Sequence, residues 1–308
     1  MTNNMSEWYW GIDLGGTKIE GVILRIREQK PDILVRKRIP TESQFGYDHI
    51  INRIGYLVEE LKAASGLVPE RIGIGTPGSY DPVSLIHKNS NTTCLNGRPF
   101  KKDLQTKLGI PLAMANDANC FAMAEANLGA VPLHQPQARV VFGIIMGTGV
   151  GGGVVVDGKV IHGRHGIGGE WGHIFTEQND IMCYCGHTGC NENVMSGPAL
   201  EKYYCQLSGR NLPMKDIVIA WRGGSDVHAL AIRDRMLFNF GLACSYIVNV
   251  LDPDAMVIGG GLGQIDELYN LGQGEILKHM FNDRCETPLL RPVLGDSAGV
   301  IGAALLGD

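Results

Sequence analysis

An apolar run, WYWGIDL, enters the pair Gly15-Gly16, and a second, KIEGVIL, leaves it. That spacing predicts a hairpin whose tight turn exposes backbone. A third strand over residues 32–39 would complete a meander. Ile50, Ile51, Ile54, Leu57, Val58 and Leu61 then recur at helical spacing, which predicts a helix over residues 49–65. Residues 71–75 read as a short strand stopped by Thr76-Pro77-Gly78, residues 102–108 as a short helix, and residues 111–115 as a buried strand. Near Ala138 the plan starts again. ARVVFGIIMGTGVGGGVVVDGKVIHG is strand, glycine-rich turn, strand, turn and strand, with Asp157-Gly158 as a strong hairpin signal. A helix over residues 226–251, a strand over 255–258, the cluster Gly259-Gly260-Gly261 and a last helix over 298–306 follow. Two similar meanders, each followed by helices and strands, predict a duplicated α/β architecture with a cleft between halves, where substrates commonly bind. The expected division is an N-terminal lobe, residues 1–116 joined by the C-terminal helix 298–308, and a C-terminal lobe, residues 117–297.

Composition narrows the function classes. The chain has 308 residues, long enough for two lobes, and a net charge of −5 without long single-sign runs. Neither a nucleic acid nor a membrane partner is favoured. The opening MTNNMSEWYW shows no basic segment leading into an apolar stretch, and no apolar run reaches about 18 residues. A cytoplasmic enzyme is expected. Many of the 42 glycines cluster, so they read as positional. Of eight cysteines, Cys183, Cys185 and Cys190 crowd together, and a disulfide framework would be unusual in such a chain. Cys94, Cys120, Cys205, Cys244 and Cys285 read as small buried hydrophobes.

The motifs carry candidate chemistry. In Asp13-Leu14-Gly15-Gly16-Thr17-Lys18, glycines without Cβ atoms let backbone N–H groups approach phosphate oxygens. Thr17 could add a hydrogen bond, Lys18 charge, and Asp13 a ligand for Mg²⁺, directly or through water. An ordinary hairpin turn would look the same. Residues 147–152, GTGVGG, match the dinucleotide fingerprint formally, but β-branched residues and a turn follow where that fold requires a helix. Residues 153–159 match the start of a P-loop, but Val160 stands where Ser or Thr is required. A second phosphate-cradling hairpin, parallel in design to the first, remains. Asn116-Asp117 closes one strand and opens the helix ANCFAMAEANLG. Asp117 could be an N-cap worth about 1 kcal/mol, or a carboxylate that accepts the proton of a sugar hydroxyl as its oxygen attacks phosphorus. Cys183, Cys185 and Cys190 with one histidine make a Cys₃His set for tetrahedral zinc. His173 and His187 compete for the fourth place on spacing alone. With four protein ligands no water position remains, so such a zinc would be structural.

Together these motifs resemble the ROK family of repressors and sugar kinases. GIDLGGTK, ANDANC, GTGVGGG, GEWGH, CYCGHTGC followed by Glu192, and LDPDAMVIGGG occur in the family's order, covering nearly the whole chain. NSNTTCLNGRPFKKDL is most similar to bacterial fructokinases that often also accept mannose, and CETP with LGDSAG points the same way. The resemblance implies an actin-like, hexokinase-type, ribonuclease H-like fold and phosphorylation of a hexose, fructose first, by ATP with Mg²⁺. Glucose and N-acetylhexosamines are the alternatives within the family. It further implies Asp117 as general base. Sugar contacts would come from Gly78, Asn91, Asn116, Asp117, Glu170, His173 and Glu192. ATP contacts would come from Gly11, Asp13, Gly15, Gly16, Thr17 and Lys18, from Gly147, Thr148, Gly149 and Val150, and from Gly259, Gly260 and Gly261. His173 would join Cys183, Cys185 and Cys190 on zinc through one ring nitrogen and reach the sugar through the other. A homodimer is implied as well. The family's repressors carry an N-terminal helix-turn-helix, for which the strand predicted from Trp8 leaves no room. Asn191, where relatives commonly have an apolar residue, predicts altered local packing.

Overall fold

The computed structural model describes residues 8–177 and 180–307; the reading of residues 1–7 as no leader lies outside it. In chain order the elements are β1 (Tyr9–Leu14), β2 (Lys18–Arg27), β3 (Lys30–Pro40), α1 (Tyr47–Ser65), β4 (Ile72–Thr76), β5 (Ser79–Tyr80), β6 (His87–Lys88), α2 (Phe100–Leu108), β7 (Leu112–Asn116), α3 (Asp117–Asn127), α4 (Ala130–His134), β8 (Val140–Met146), β9 (Val150–Val156), β10 (Lys159–Val160), α5 (Glu192–Met195), α6 (Gly197–Ser208), α7 (Met214–Arg222), α8 (Val227–Leu251), β11 (Ala255–Gly259), α9 (Asp266–Leu277), β12 (Leu289–Leu290) and α10 (Ala298–Ala304). The expected strands and helices are present, with ends shifted by a few residues. Asp226 caps α8 rather than belonging to it, its side chain accepting from the N–H groups of His228 and Ala229.

One sheet runs β3-β2-β1-β4-β7 and the other β10-β9-β8-β11-β12. Both orders are third, second, first, fourth, fifth along their own stretch, leaving aside the small β5-β6 ribbon. The duplication read from two meanders is therefore also a duplication of topology. In the first sheet β1 pairs antiparallel with β2 and parallel with β4, and β4 parallel with β7. That register sets Asp13 beside Gly75 and Thr76 beside Asn116, so three parallel strands deliver their motif residues to the same sheet end.

Two compact units emerge: residues 1–137, 153–168 and 293–308, and residues 138–152 and 169–292. The first unit extends well past the expected boundary at residue 116. The reason is packing: a Cβ on Gly302 of α10 would lie 1.7 Å from the Cys120 carbonyl oxygen, so α3 and α10 meet backbone to backbone. Its core sets Ile12, Leu14, Ile19 and Ile23 of the sheet against Ile50, Ile54, Leu57 and Leu61, the stripe of α1 read from the sequence. Ion pairs from Arg36 and Arg38 satisfy the buried Glu20 carboxylate on the same sheet. In the second unit Phe142 packs edge-on against Trp171, whose indole N–H donates to Gly151 O at 2.7 Å. Among the described residues no helix is long and apolar enough to cross a membrane.

Candidate active site

The first unit holds the turn between β1 and β2. Leu14 pairs with Ile19, and the Gly15 N–H donates to Lys18 O at 2.9 Å. The turn's carbonyls are tied down from one side. Thr41 Oγ1 donates to Gly15 O at 2.7 Å, Ser43 Oγ to Gly16 O at 3.3 Å, and the Thr41 N–H to Thr17 O at 3.0 Å. In a trans peptide the N–H points opposite to its C=O. The N–H groups of Gly16, Thr17 and Lys18 are thereby aimed away from these anchors, the arrangement an oxyanion needs. Nothing lies within 4 Å of where a Gly16 Cβ would be, so this face of the turn is open. Gly11 sits mid-strand, where an added Cβ would lie 2.3 Å from Val300 O on α10, so close packing by itself requires glycine there.

At the same sheet end lie two acids. Burial, then the charges of Asp117 and Glu20, push the Asp13 pKa up to about 6, with Lys18 pulling the other way. The N-cap of α3 is Asn116, whose Oδ1 accepts from the Asn119 N–H at 2.7 Å. Asp117 is therefore released from capping. Its Oδ1 accepts a short-range bond from the Ala118 N–H at 2.9 Å. The protein around it pushes its pKa upward, while N–H groups of Ala118 and of Asp117 itself oppose this. The side chain is exposed, and contact with water limits that push. Burial, helped by the Asp13 and Asp117 charges, keeps the neighbouring Cys120 thiol protonated. Cys120 and Cys244 are buried as expected, whereas Cys94, Cys205 and Cys285 are half-buried.

Gly78 lies two residues beyond the end of β4. It has φ 79°, and a Cβ there would lie 2.5 Å from Lys88 O and 2.7 Å from Ser90 N. The Pro77 carbonyl also bonds His87 Nε2 at 2.7 Å. This docks the Pro77-Gly78 loop on the segment that carries the exposed Asn91.

The second unit has the other turn. The Gly147 N–H donates to Gly149 O at 2.9 Å, and the Gly197 N–H to Gly147 O at 2.8 Å. Thr148 lies between these glycines. The Val150 N–H donates to Glu192 Oε2 at 2.9 Å, and a Cβ on Gly149 would meet the same oxygen at 2.7 Å. Glu192 thus braces the glycine turn, a role the sequence reading did not give it. Gly259, Gly260 and Gly261 lie beside this turn. A Cβ on Gly260 would lie 2.2 Å from Met146 O, and one on Gly147 would lie 3.6 Å from Gly261 N.

His173, Cys183, Cys185 and Cys190 converge, with their ligand atoms all within 4.8 Å of one another, so the geometry brings in His173 and not His187. Cys185 Sγ and Cys190 Sγ are 3.5 Å apart, and Cys183 Sγ lies 3.6 Å from His173 Nδ1. A tetrahedron with Zn–S of about 2.3 Å has edges of roughly 3.7 Å, so the donor set fits a zinc ion. Burial and the two other thiols push Cys190 up to about 12, so a bound cation is what would hold it as a thiolate. The other ring nitrogen, His173 Nε2, expected for the sugar, bonds the Tyr184 hydroxyl at 2.9 Å. Desolvation, then the charges of Glu192 and Glu170, push the Tyr184 pKa up. Asn191 is fully buried, and neither its Nδ2 nor its Oδ1 has a partner among the described residues, so the departure from an apolar residue is not compensated locally.

Residues 9–308 match the ROK family. The chain belongs to it. The N-acetyl-D-glucosamine kinase of Pectobacterium atrosepticum is 36% identical over 310 residues, covering 97% of this chain and 98% of that protein. That of Aliivibrio salmonicida is 32% identical over 308 residues, covering 97% and 99%. Among solved structures, the ROK hexokinase from Thermus thermophilus superposes with a TM-score of 0.82 at 29% identity, covering 97% of each chain. The ROK glucokinase from Streptomyces griseus, solved with glucose and AMPPNP, gives 0.75 at 26% identity, covering 97% and 98%. The duplicated sheets and these neighbours make the fold the actin-like one of ROK proteins. A ROK chain thus carries two glycine turns, an acid at a strand end and a Cys₃His cluster, distributed over both of its units.

Proposed function

We propose that this ROK protein is an ATP-dependent kinase that transfers the γ-phosphoryl group to the 6-hydroxyl of N-acetyl-D-glucosamine. The observation that carries the sugar is the end-to-end similarity to proteins of that name. It displaces fructose, which rested on one loop and a short C-terminal stretch. Fructose and mannose are not carried forward as the preferred substrates.

Asp117 serves as general base. Asn116 takes the capping duty, which leaves the Asp117 carboxylate available to a substrate hydroxyl. An upward-shifted pKa makes it a better proton acceptor at neutral pH than an ordinary carboxylate. Phosphoryl transfer depends mainly on positioning and electrostatics. The N–H groups of residues 16–18 and the braced turn at 147–150 hold phosphate oxygens, with Gly259, Gly260 and Gly261 beside the nucleotide. Asp13 is the group that would hold Mg²⁺, which neutralises phosphate charge when bound. Gly78, Asn91, Asn116, Glu170, His173 and Glu192 orient the sugar. His173, Cys183, Cys185 and Cys190 would hold a structural zinc that fixes the His173 ring. Its reduced thiols suit the cytoplasm, and a homodimer is its proposed assembly.

The test is product identity. Incubation with ATP, Mg²⁺ and N-acetyl-D-glucosamine, followed by ³¹P and ¹³C NMR, should show a phosphate ester on C6. Phosphate on another carbon, or ATP consumed without a sugar ester, overturns the assignment.

A further inference from the structure

One cavity in the first unit is not accounted for by the proposed reaction. It encloses about 280 Å³ along the edge strand β7 and reaches Asn116. Tyr80, Lys101, Asn119, His162 and Gly166 are among its walls. The wall at Gly166 is fixed by close packing, since a Cβ there would lie 2.2 Å from Tyr80 O.

Its charge is one-sided. Lys101 and His162 both line it, and no Asp or Glu does. Lys101 Nζ stacks over the Tyr80 ring at 5.1 Å and has no carboxylate or hydrogen-bond acceptor among the described residues. Desolvation weakens the Lys101 ammonium, and desolvation together with the Lys101 charge weakens the His162 imidazolium. Two basic groups thus face one space without a counter-charge. Beside them Asn119 is 97% buried, being only 3% exposed, and its Oδ1 has no partner. A bound group that brings negative charge would satisfy both basic groups.

We propose that this cavity is an oxyanion subsite, contiguous with Asn116, that takes the carboxylate or phosphate of an acidic hexose derivative. The hexose part rests on the sugar-kinase reading above; the anion part rests on Lys101 and His162 alone. An acidic hexose would place its ring hydroxyls at Asn116 and its anionic group between Lys101 and His162.

Calorimetric titration of the full chain tests this with four probes: N-acetyl-D-glucosamine, its 6-phosphate, its 3-O-lactyl ether (a carboxylate) and inorganic phosphate. At least one acidic sugar should bind about tenfold tighter than the neutral parent, the gain of one charge-assisted bond. Which sugar shows the gain identifies phosphate or carboxylate as the source. Lys101→Met and, on the exposed loop where folding is not at risk, His162→Gln should each erase most of that gain. If both acidic sugars bind no tighter than the parent, or the gain survives both substitutions, the subsite is refuted. If no sugar binds, the kinase reading fails by itself. The subsite then stands only if inorganic phosphate binds the wild type and is lost in Lys101→Met, and falls otherwise.

Discussion

Replacing Asp13 by Asn removes an ionisable group from the end of β1 with almost no change of shape. Burial, Asp117 and Glu20 lift its pKa from 3.8 to about 6 in the folded protein. The shift of about 2 units corresponds to roughly 3 kcal/mol at 1.36 kcal/mol per unit. The sign follows from proton binding. The folded state holds this proton more tightly than the unfolded chain, so its contribution is fully present below about pH 3.8 and is lost as pH rises through about 6. Above that, the ionised carboxylate opposes folding. Asp13 keeps partial contact with water, so about 1–3 kcal/mol is the expected size. Asp13→Asn should therefore stabilise the protein by that amount at pH 8 and by close to nothing near pH 4. Its kinase activity should fall sharply, because an amide is a poorer partner for Mg²⁺. Urea unfolding of wild type and variant at both pH values, followed beside initial rates, measures all three quantities. A variant less stable than wild type at pH 8, or an equal gain at both pH values, refutes the reasoning. The destabilised carboxylate sits where the proposed reaction would place its cation, which would be a common exchange of stability for function.

Asp117→Asn should lower kcat by about 10²–10⁴ with the sugar dissociation constant little changed; near-normal turnover rejects Asp117 as base. Elemental analysis of purified protein should find one zinc per chain, and Cys185→Ser should lose the metal and lower the melting temperature; absence of metal from the wild type ends the Cys₃His assignment. Gly302→Ala should destabilise by about 1–3 kcal/mol or more, since its Cβ would stand 1.7 Å from Cys120 O; an unchanged urea midpoint contradicts the α3–α10 packing.

Much of the fold was legible because its signals are local. The stripe of α1, the turn at Asp157-Gly158 and the two meanders each declare themselves within one continuous stretch of chain. The candidate zinc site was legible as a short cysteine cluster; spacing left His173 and His187 open, the family resemblance implied His173, and the geometry groups that residue with the three cysteines. Asn116 and Asp117 show the limit best. Both residue types cap helices, and only the structure assigns the cap to Asn116 and frees its neighbour. The packing at Gly11 left no trace in the sequence, because a glycine that admits another backbone looks the same there as one that admits a phosphate. The bond from Val150 to Glu192 spans 42 residues, and that between His173 and Tyr184 spans 11, so neither leaves a periodic trace. The extension of the first unit past residue 116 left no local trace for the same reason, since α10 meets α3 across most of the chain's length.

The central claim, ATP-dependent phosphorylation of N-acetyl-D-glucosamine, is tested most directly by sugar-dependent ADP release with N-acetyl-D-glucosamine, N-acetylmannosamine, glucose and fructose, measured as kcat/KM for each. The account predicts the highest value for N-acetyl-D-glucosamine. A higher value for fructose, or no ADP release with any of the four, would contradict it.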